Sequence, residues 1–239
     1  MTPLLEVCVD DAAGLATACA FGADRIELCS ALDLGGLTPS AGLMALAAKA
    51  DRPAFAMIRP RAGDFCFGPD DLAVMEADID AVRRAGLAGV VLGASLPDGR
   101  LDGPVLAGLV ARAQGLGLTL HRCFDLVPDP VAALEQAIAL GFDRILTSGG
   151  AVRATDGIAG LKTLAEQAAG RIAIMAGSGI TAASLPAFDG LALREFHASC
   201  GVAVASDGPA RAFGFAPPQM RRTDAGAVAA LRQALDARG

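Results

Sequence analysis

Two arginines with one proline between them, Arg59 and Arg61, follow an apolar run over residues 54–58. Side chains alternate between the two faces of a β-strand, so we expect both guanidinium groups on the same side. Asp64 follows in the next loop. Guanidinium groups bind phosphates and carboxylates through paired hydrogen bonds. The pattern therefore predicts a site for an anion, or for carboxylates that the protein itself supplies.

Acid–base residues stand near the ends of other apolar runs, and both histidines of the chain are among them. If these ends share one rim, so many buried ionisable groups are costly unless a ligand or a reaction uses them. We expect Arg59 or Arg61 to pair there with a glutamate. Taken singly, each residue is as well explained by a buried ion pair or a hydrogen-bonded core position. The candidate catalytic residues are Glu6, Glu27, Arg59, Arg61, Asp64, His121, Asp125 and His197.

Two glycine-rich segments follow later apolar runs, at Ser148-Gly149-Gly150 and Gly177-Ser178-Gly179. Backbone N–H groups at such turns, close to the start of the next helix, suit an anion. An ordinary turn is the alternative explanation. The predicted anion-binding residues are Arg59, Arg61, Ser148, Gly149, Gly177, Ser178 and Ser199.

Two cysteines, Cys8 and Cys29, each lie two residues beyond a glutamate in successive apolar runs. We expect both thiols on the same side as the glutamates, and Cys123 is a third candidate. Thiolates are the ligands that Cu(I) prefers, so these residues are candidate copper ligands. Buried cysteines that act as small hydrophobes are the alternative. The six cysteines include no CxxC pair, which indicates reduced thiols rather than a disulfide framework.

Eight apolar or β-branched runs alternate with Ala- and Leu-rich segments of helical spacing, and a last helix is predicted at about 225–237. Alternating strands and helices indicate right-handed βαβ units, and eight repeats in a chain of about 250 residues predict an α/β fold, the (β/α)8 TIM barrel. In this fold functional residues lie at the C-terminal ends of the strands. The runs cover residues 4–9, 25–29, 54–58, 89–92, 118–122, 145–148, 172–176 and 194–197.

A short internal repeat supports this count. Gly22-Ala23-Asp24-Arg25 is similar to Gly141-Phe142-Asp143-Arg144, and each stands before an apolar run. We expect each glycine to end a helix and each Asp-Arg pair to begin a strand at the opposite end of the barrel, where residues serve stability.

Composition limits the classes of protein. The chain has 239 residues, of which 53% are hydrophobic, and no linker, so we expect a single domain over residues 1–239. Neither a membrane-length apolar run nor an N-terminal signal pattern is present, which predicts a cytoplasmic protein with no membrane partner. A net charge of −6 without a basic cluster argues against nucleic acid as a partner.

Seven ordered blocks between residues 4 and 200 resemble the CutC copper homeostasis family, which is distinct from the choline lyase of the same name. The resemblance implies a cytoplasmic TIM barrel that binds copper, often as a homodimer or higher oligomer. It brings no established reaction. The blocks are Leu5 to Asp10, Gly22 to Cys29, Gly35 to Ser40, Arg59 to Phe65, His121 to Asp125, Leu146 to Gly149 and Glu195 to Ser199.

The family pattern implies site residues. Cys8 and Cys29 match cysteines proposed as Cu(I) ligands in the family. Three positions depart from it, because Cys123 replaces an alanine, Ala62 a glycine and Ser178 a glycine. The pattern marks a shared pocket of Glu6, Glu27, Arg59, Arg61, Asp64, His121, Arg122, Asp125 and His197.

Two functions follow. One is a copper-handling protein that binds Cu(I) through its cysteines. The other is a TIM-barrel enzyme of unassigned reaction that acts on a small anionic or phosphorylated metabolite with its Glu, His and Arg residues, because carboxylates and guanidinium groups are poor partners for a soft cation.

Overall fold

The computed structural model describes residues 2–239 and contains a closed barrel of eight parallel strands that pair in sequence order. The last strand pairs with the first, which confirms the predicted TIM barrel. The strands are β1 (Leu4–Val9), β2 (Arg25–Leu28), β3 (Ala54–Met57), β4 (Gly89–Leu92), β5 (Gly117–Leu120), β6 (Arg144–Thr147), β7 (Ala173–Ala176) and β8 (Glu195–Ala198).

Helices cover the outside of the barrel. Three short 3-10 helices also occur, at Leu32–Leu34, Arg122–Leu126 and Ala182–Phe188. The third replaces an α-helix after β7 because Pro186 lies inside it and has no N–H group to continue a helix. The barrel helices are α1 (Ala12–Phe21), α2 (Ala41–Ala47), α3 (Pro69–Ala85), α4 (Gly103–Arg112), α5 (Pro130–Leu140), α6 (Ile158–Ala168) and, after one further helix described below, α8 (Ala225–Asp236).

The internal repeat marks equivalent corners of the barrel. Gly22 and Gly141 end α1 and α5 in the left-handed conformation, which glycine adopts at little cost. Asp24 accepts a hydrogen bond from the backbone N–H of Leu5 at 2.8 Å, and Asp143 accepts one from Leu118 at 2.7 Å. The predicted structural role of the aspartates is therefore confirmed.

The lower barrel interior is filled by an aromatic ring between two arginines. The guanidinium groups of Arg25 and Arg144 lie 5.3 and 4.9 Å from the centre of the Phe55 ring. Glu195 forms ion pairs with both arginines. Gly89, on the neighbouring strand, leaves the space that the ring occupies, since a Cβ atom there would lie 2.2 Å from Phe55.

A hairpin separates β8 from α8. It consists of β9 (Gly201–Ala205), the short helix α7 (Gly208–Ala212) and β10 (Gln219–Thr223), and its two strands are antiparallel. We refer to residues 201–223 as the arm. The sequence analysis did not predict it. No helix within residues 2–239 has the length and apolar character needed to cross a membrane.

We expect Gly89→Ala to destabilise the fold, because the new methyl group would overlap the Phe55 ring. Overpacking of this kind costs about 1–3 kcal/mol in free energy of unfolding, which urea denaturation measures. Gly108→Ala is the matched control, since Gly108 lies in α4 with nothing within 4 Å of a Cβ atom. It should stabilise the protein by up to about 1 kcal/mol. Equal stability of Gly89→Ala and the wild-type protein would contradict this packing.

Candidate functional site

A cavity of about 710 Å³ opens at the C-terminal end of the barrel. This is the end where TIM-barrel proteins place their functional residues. Part of its wall comes from the arm, through Gly201 and residues 220–223. The predicted site residues that line it are Cys8, Glu27, Arg59, His121, Arg122, Asp125, His197 and Ser199.

Strand register decides which side chains meet. Glu6 stands opposite His197 across the β1–β8 pair, and Cys8 stands opposite Glu27 across the β1–β2 pair. Paired residues of neighbouring parallel strands point to the same face, here the barrel interior. Four predicted residues therefore occupy two adjacent levels, the Glu6–His197 pair and the Cys8–Glu27 pair above it. Of the four, Cys8, Glu27 and His197 line the inner end of the cavity, and Glu6 is buried just below it.

Glu6 is the fully buried residue beneath the cavity, and it pairs with both Arg25 and His197. Burial by itself would raise the pKa of Glu6, but the charge of Arg25 and the hydrogen bond and charge of His197 outweigh it and lower this pKa to about 2. The expectation that Arg59 or Arg61 pairs with a glutamate is wrong. Arg25 forms the ion pair with Glu6 instead, because it stands opposite Glu6 on the neighbouring strand β2 and points into the barrel.

His197 links two carboxylates. Its Nδ1 lies 2.8 Å from Glu6 Oε1, and its Nε2 lies 3.6 Å from Glu27 Oε2. Burial alone would lower the pKa of His197, but the negative charges of Glu27 and Cys8 and hydrogen bonds to Cys8 and Glu6 raise it well above its ordinary value. The imidazole ring is therefore held in its protonated form at neutral pH.

Glu27 has one carboxylate oxygen that the protein leaves without a partner. Within residues 2–239, Glu27 Oε1 is buried and makes no hydrogen bond, while Oε2 lies 3.5 Å from Cys29 Sγ. Burial is the main cause that raises the pKa of Glu27, and the charge of Glu6 adds to it. Buried polar atoms without partners are few in native proteins, so this oxygen calls for a ligand.

Cys8, Glu27 and His197 form a compact cluster. The Cys8 sulfur, a Glu27 carboxylate oxygen and a His197 ring nitrogen all lie within 4.8 Å of one another. Cys29, the second predicted copper ligand, is not a member. It stands one inward-facing position beyond Glu27 and packs with Phe55, Met57 and Val91.

The third predicted thiol is separate from this cluster. Cys123 is fully buried and does not line the cavity. Burial raises the pKa of its thiol to about 12. Its backbone N–H donates to His121 Nδ1 instead, at 3.2 Å. Cys123 therefore serves here to orient His121.

His121 lies on another wall of the cavity and is neutral. Burial and then the charge of Arg59 lower the pKa of His121 to about 3. Because Nδ1 accepts a hydrogen bond from Cys123, the ring proton is assigned to Nε2, which is buried and has no partner in the described part of the chain. The ring packs beside Phe65, at 4.8 Å between ring centres. His121 therefore offers a neutral N–H donor.

Arg59 is buried and holds loops together. Its guanidinium group donates to the carbonyl oxygens of Leu34 at 2.8 Å, Gly36 at 3.1 Å and Gly63 at 2.8 Å. The group also lies 4.9 Å from the Phe65 ring centre. Arg59 lines the cavity as predicted, but three of its N–H bonds are used by the backbone.

Arg61 and Asp64 do not reach the cavity. Arg61 is partly exposed and pairs with Asp64 at 3.0 Å and with Asp71 at 3.1 Å. The same-side prediction fails at this point because β3 ends at Met57, so strand alternation no longer applies at Arg61.

The glycine-rich loops are occupied by the protein's own groups. The Asp125 carboxylate accepts hydrogen bonds from the backbone N–H groups of Ser148 at 3.0 Å and Gly150 at 3.2 Å, and it pairs with Arg122 at 2.7 Å. Gly149 packs against the start of α6, since a Cβ atom there would lie 2.2 Å from a backbone oxygen of that segment. The carboxylate thus takes the place that an external anion would need.

In the second loop, two predicted groups donate to the protein itself. Gly177 N–H donates to the backbone carbonyl of Thr147 at 3.0 Å, and Ser178 Oγ donates to the carbonyl of Val152 at 2.7 Å. Neither glycine-rich segment contributes to the cavity lining, so of the predicted anion-binding residues only Arg59 and Ser199 reach the cavity.

Sequence reasoning missed several residues of the cavity wall. Arg221 and Arg222 come from β10, and Asp10 and Asp11 come from the segment between β1 and α1. The adjacent arginines are visible in the sequence, but because the arm was not predicted, no predicted strand end placed them at the rim of the barrel. Arg25 was interpreted as purely structural, although it also contacts Glu6 beneath the site.

Comparisons with known proteins agree with this architecture. The model of the CutC family matches residues 3–202, which covers the barrel strands and leaves most of the arm and α8 outside the match. A CutC family protein of Rhizobium meliloti is 60% identical over 235 residues, which cover 98% of this chain and 96% of the relative. One from Caulobacter vibrioides strain NA1000 is 54% identical and covers 98% and 97%.

Among solved structures, a CutC protein of Streptococcus agalactiae that is named for a role in copper homeostasis superimposes with a TM-score of 0.78. It is 31% identical, and the match covers 82% of this chain and 98% of that one. The family match over most of the chain, the relatives above 50% identity and the shared barrel establish that this chain belongs to the CutC family.

Proposed function

We propose that this protein acts in copper homeostasis and binds Cu(I) as its cargo through Cys8 and Cys29. Membership of the CutC family supports this, as does the name of the Streptococcus agalactiae relative. The observation that carries it is Cys8, a buried thiol that lines the cavity at its inner end. Cu(I) prefers sulfur ligands, and the cavity provides its route from solvent.

The fit of Cu(I) to these residues depends on the position of Cys29. Cys29 stands one inward-facing position beyond Glu27, the residue opposite Cys8, so the two sulfur atoms are offset along the barrel axis. Cys29 Sγ now contacts Glu27 Oε2 at 3.5 Å. A Cu(I) ion bound by both thiolates requires Cys29 Sγ to leave this contact.

We place the protein in the cytoplasm as part of the same proposal. All six cysteines are free, including the buried Cys8, Cys29 and Cys123. Reduced thiols persist where cellular reductants maintain them, and Cu(I) is the copper state that thiolates bind.

Cys8→Ser and Cys29→Ser should each weaken Cu(I) binding by about 100-fold or more, since loss of even an outer-shell partner costs about 10–100-fold. Competition of the reduced protein against a Cu(I) chelator measures this. Cys66→Ser is the control, because Cys66 lies in the loop before α3, outside the cavity lining. Equal affinities of the wild-type protein, Cys8→Ser and Cys29→Ser would remove these residues as ligands.

A second candidate function is catalysis on a small anionic metabolite, and two orphaned polar atoms favour it. Glu27 Oε1 and His121 Nε2 belong to residues that line the same cavity, and neither atom has a partner within residues 2–239. The pKa of Glu27 is raised, while that of His121 is lowered. Titratable groups whose pKa values are displaced in opposite directions are typical of acid–base sites.

The two histidines should titrate at opposite ends of the pH scale. His121 should stay neutral until pH falls to about 3, and His197 should stay protonated through neutral pH. Because the chain has only two histidines, NMR of imidazole-labelled protein resolves both. Glu6→Gln removes a negative charge beside His197 Nδ1, so the pKa of His197 should fall while that of His121 stays the same. A neutral His197 at pH 7 in the wild-type protein would contradict this electrostatic arrangement.

We further propose that the protein forms a homo-oligomer through its arm. Phe213 and Phe215 are 77% and 85% exposed, and Val202 and Val204 of β9 are exposed as well. Clustered exposed apolar groups mark interaction surfaces. The arm carries three arginines and one aspartate, whereas the whole chain carries a net charge of −6. The acidic body of a second copy is thus a complementary partner for a basic, apolar arm.

Sedimentation velocity should give a species of at least twice the 24.0 kDa chain mass. The double variant Phe213→Ser and Phe215→Ser should sediment as a monomer, because it removes the apolar contact of the arm. Phe21→Ser is the matched control, since Phe21 is an exposed phenylalanine at the end of α1. A monomeric wild-type protein would exclude this assembly.

A further inference from the structure

The Cys8–Glu27–His197 cluster combines three different ligand types in one small buried space. Its three ligand atoms lie within 4.8 Å of one another, and the three residues are 6%, 3% and 8% exposed. We propose that this cluster binds a divalent cation of the zinc class, with a fourth coordination position open to the cavity. The inference deepens the proposed metal-handling function and shares Cys8 with it.

The second contact of His197 supports a ligand role. Glu6 Oε1 binds His197 Nδ1 at 2.8 Å, which leaves Nε2 directed to the side of Glu27 and Cys8. Metal-bound histidines nearly always donate their other ring N–H to a carboxylate or a carbonyl, because this fixes the tautomer and orients the ring. Glu6 is itself held by Arg25, so this orienting carboxylate has a fixed position.

The unpartnered oxygen of Glu27 is independent evidence for a bound group. Oε1 is buried without a hydrogen bond among the described residues, although the residue is 3% exposed. An unpaired buried carboxylate oxygen is costly unless a cation or a donor satisfies it. The other oxygen, Oε2, lies 3.6 Å from His197 Nε2, so a cation that binds the imidazole and both carboxylate oxygens of Glu27 would meet that need.

The ligand set selects among metals. A thiolate, an imidazole and a carboxylate suit zinc, and three protein ligands with one open position are the arrangement of catalytic zinc sites. Mg²⁺ and Ca²⁺ prefer oxygen ligands alone, and Cu(I) gains little from a carboxylate. The open position faces a cavity that also holds the His121 ring and Arg59, so it would take water or an anionic oxygen of a small molecule.

The divalent-cation site and the proposed Cu(I) site use different sets of ligand residues. Cu(I) binding through Cys8 and Cys29 does not need Glu27 or His197. The divalent site needs both of them and draws nothing from Cys29. Variants of these residues therefore separate the failure of one proposal from the failure of the other.

The test is titration of the reduced, metal-free protein with Zn²⁺ by calorimetry and with Co²⁺ as a spectroscopic probe. We expect one Zn²⁺ per chain and, with Co²⁺, a thiolate-to-metal charge-transfer band together with the visible bands of a tetrahedral ion. Cys8→Ser should abolish the charge-transfer band. Glu27→Gln and His197→Gln should each weaken Zn²⁺ binding by about 10–100-fold or more, and Cys29→Ser should still bind one Zn²⁺ per chain.

Asp33→Asn is the matched control for Glu27→Gln, because Asp33 is a cavity-lining carboxylate outside the cluster. If a cluster variant does not fold, the histidine NMR signals of the wild-type protein decide, since Zn²⁺ should move those of His197 and not those of His121. Absence of stoichiometric Zn²⁺ binding, a Co²⁺ spectrum without the thiolate band, or Zn²⁺ shifts confined to His121 would each overturn the proposal.

Discussion

One buried carboxylate, Glu6, joins the packed lower half of this barrel to the cavity above it. Arg25, on the neighbouring strand β2, forms an ion pair with one carboxylate oxygen of Glu6, and His197, on β8, binds the other oxygen. A charge without access to water is tolerated only when its partners are in place, and loss of one partner leaves the others uncompensated. Because Arg25 also contacts Glu195 and the Phe55 ring, the core and the orientation of His197 depend on the same ion pair.

Polar groups in the loops at the C-terminal rim are likewise paired within the protein. Polar groups that would suit an external anion are satisfied internally, as in the Asp125 carboxylate that accepts hydrogen bonds from the loop after β6. Of the six buried side-chain atoms left unsatisfied among residues 2–239, three belong to residues of the cavity wall and none to the glycine-rich loops; the three are Glu27 Oε1, Arg59 Nε and His121 Nε2. The distribution of satisfied and unsatisfied groups therefore points to the cavity rather than the loops as the place of ligand binding.

The resulting cavity has chemically distinct walls. At its inner end the Cys8–Glu27–His197 cluster offers sulfur, oxygen and nitrogen ligands of the kind that bind metals. The wall with His121 offers a neutral N–H donor beside the guanidinium group of Arg59. Metal handling draws on the cluster, and chemistry on a small anion draws on Glu27 of that cluster together with the His121 wall, so the two candidate functions share one cavity.

The sequence by itself determined the barrel and the inward direction of Glu6, Cys8, Glu27 and His197, because alternating strands and helices and a two-residue side-chain period are local properties. Only the tertiary structure decided which of these residues meet. The offset between neighbouring strands separates Cys29 from the cluster, the end of β3 releases Arg61 from its predicted face, and the arm adds a wall that no periodicity indicated. Register, strand ends and insertions depend on contacts between segments distant in sequence, which a local pattern does not contain.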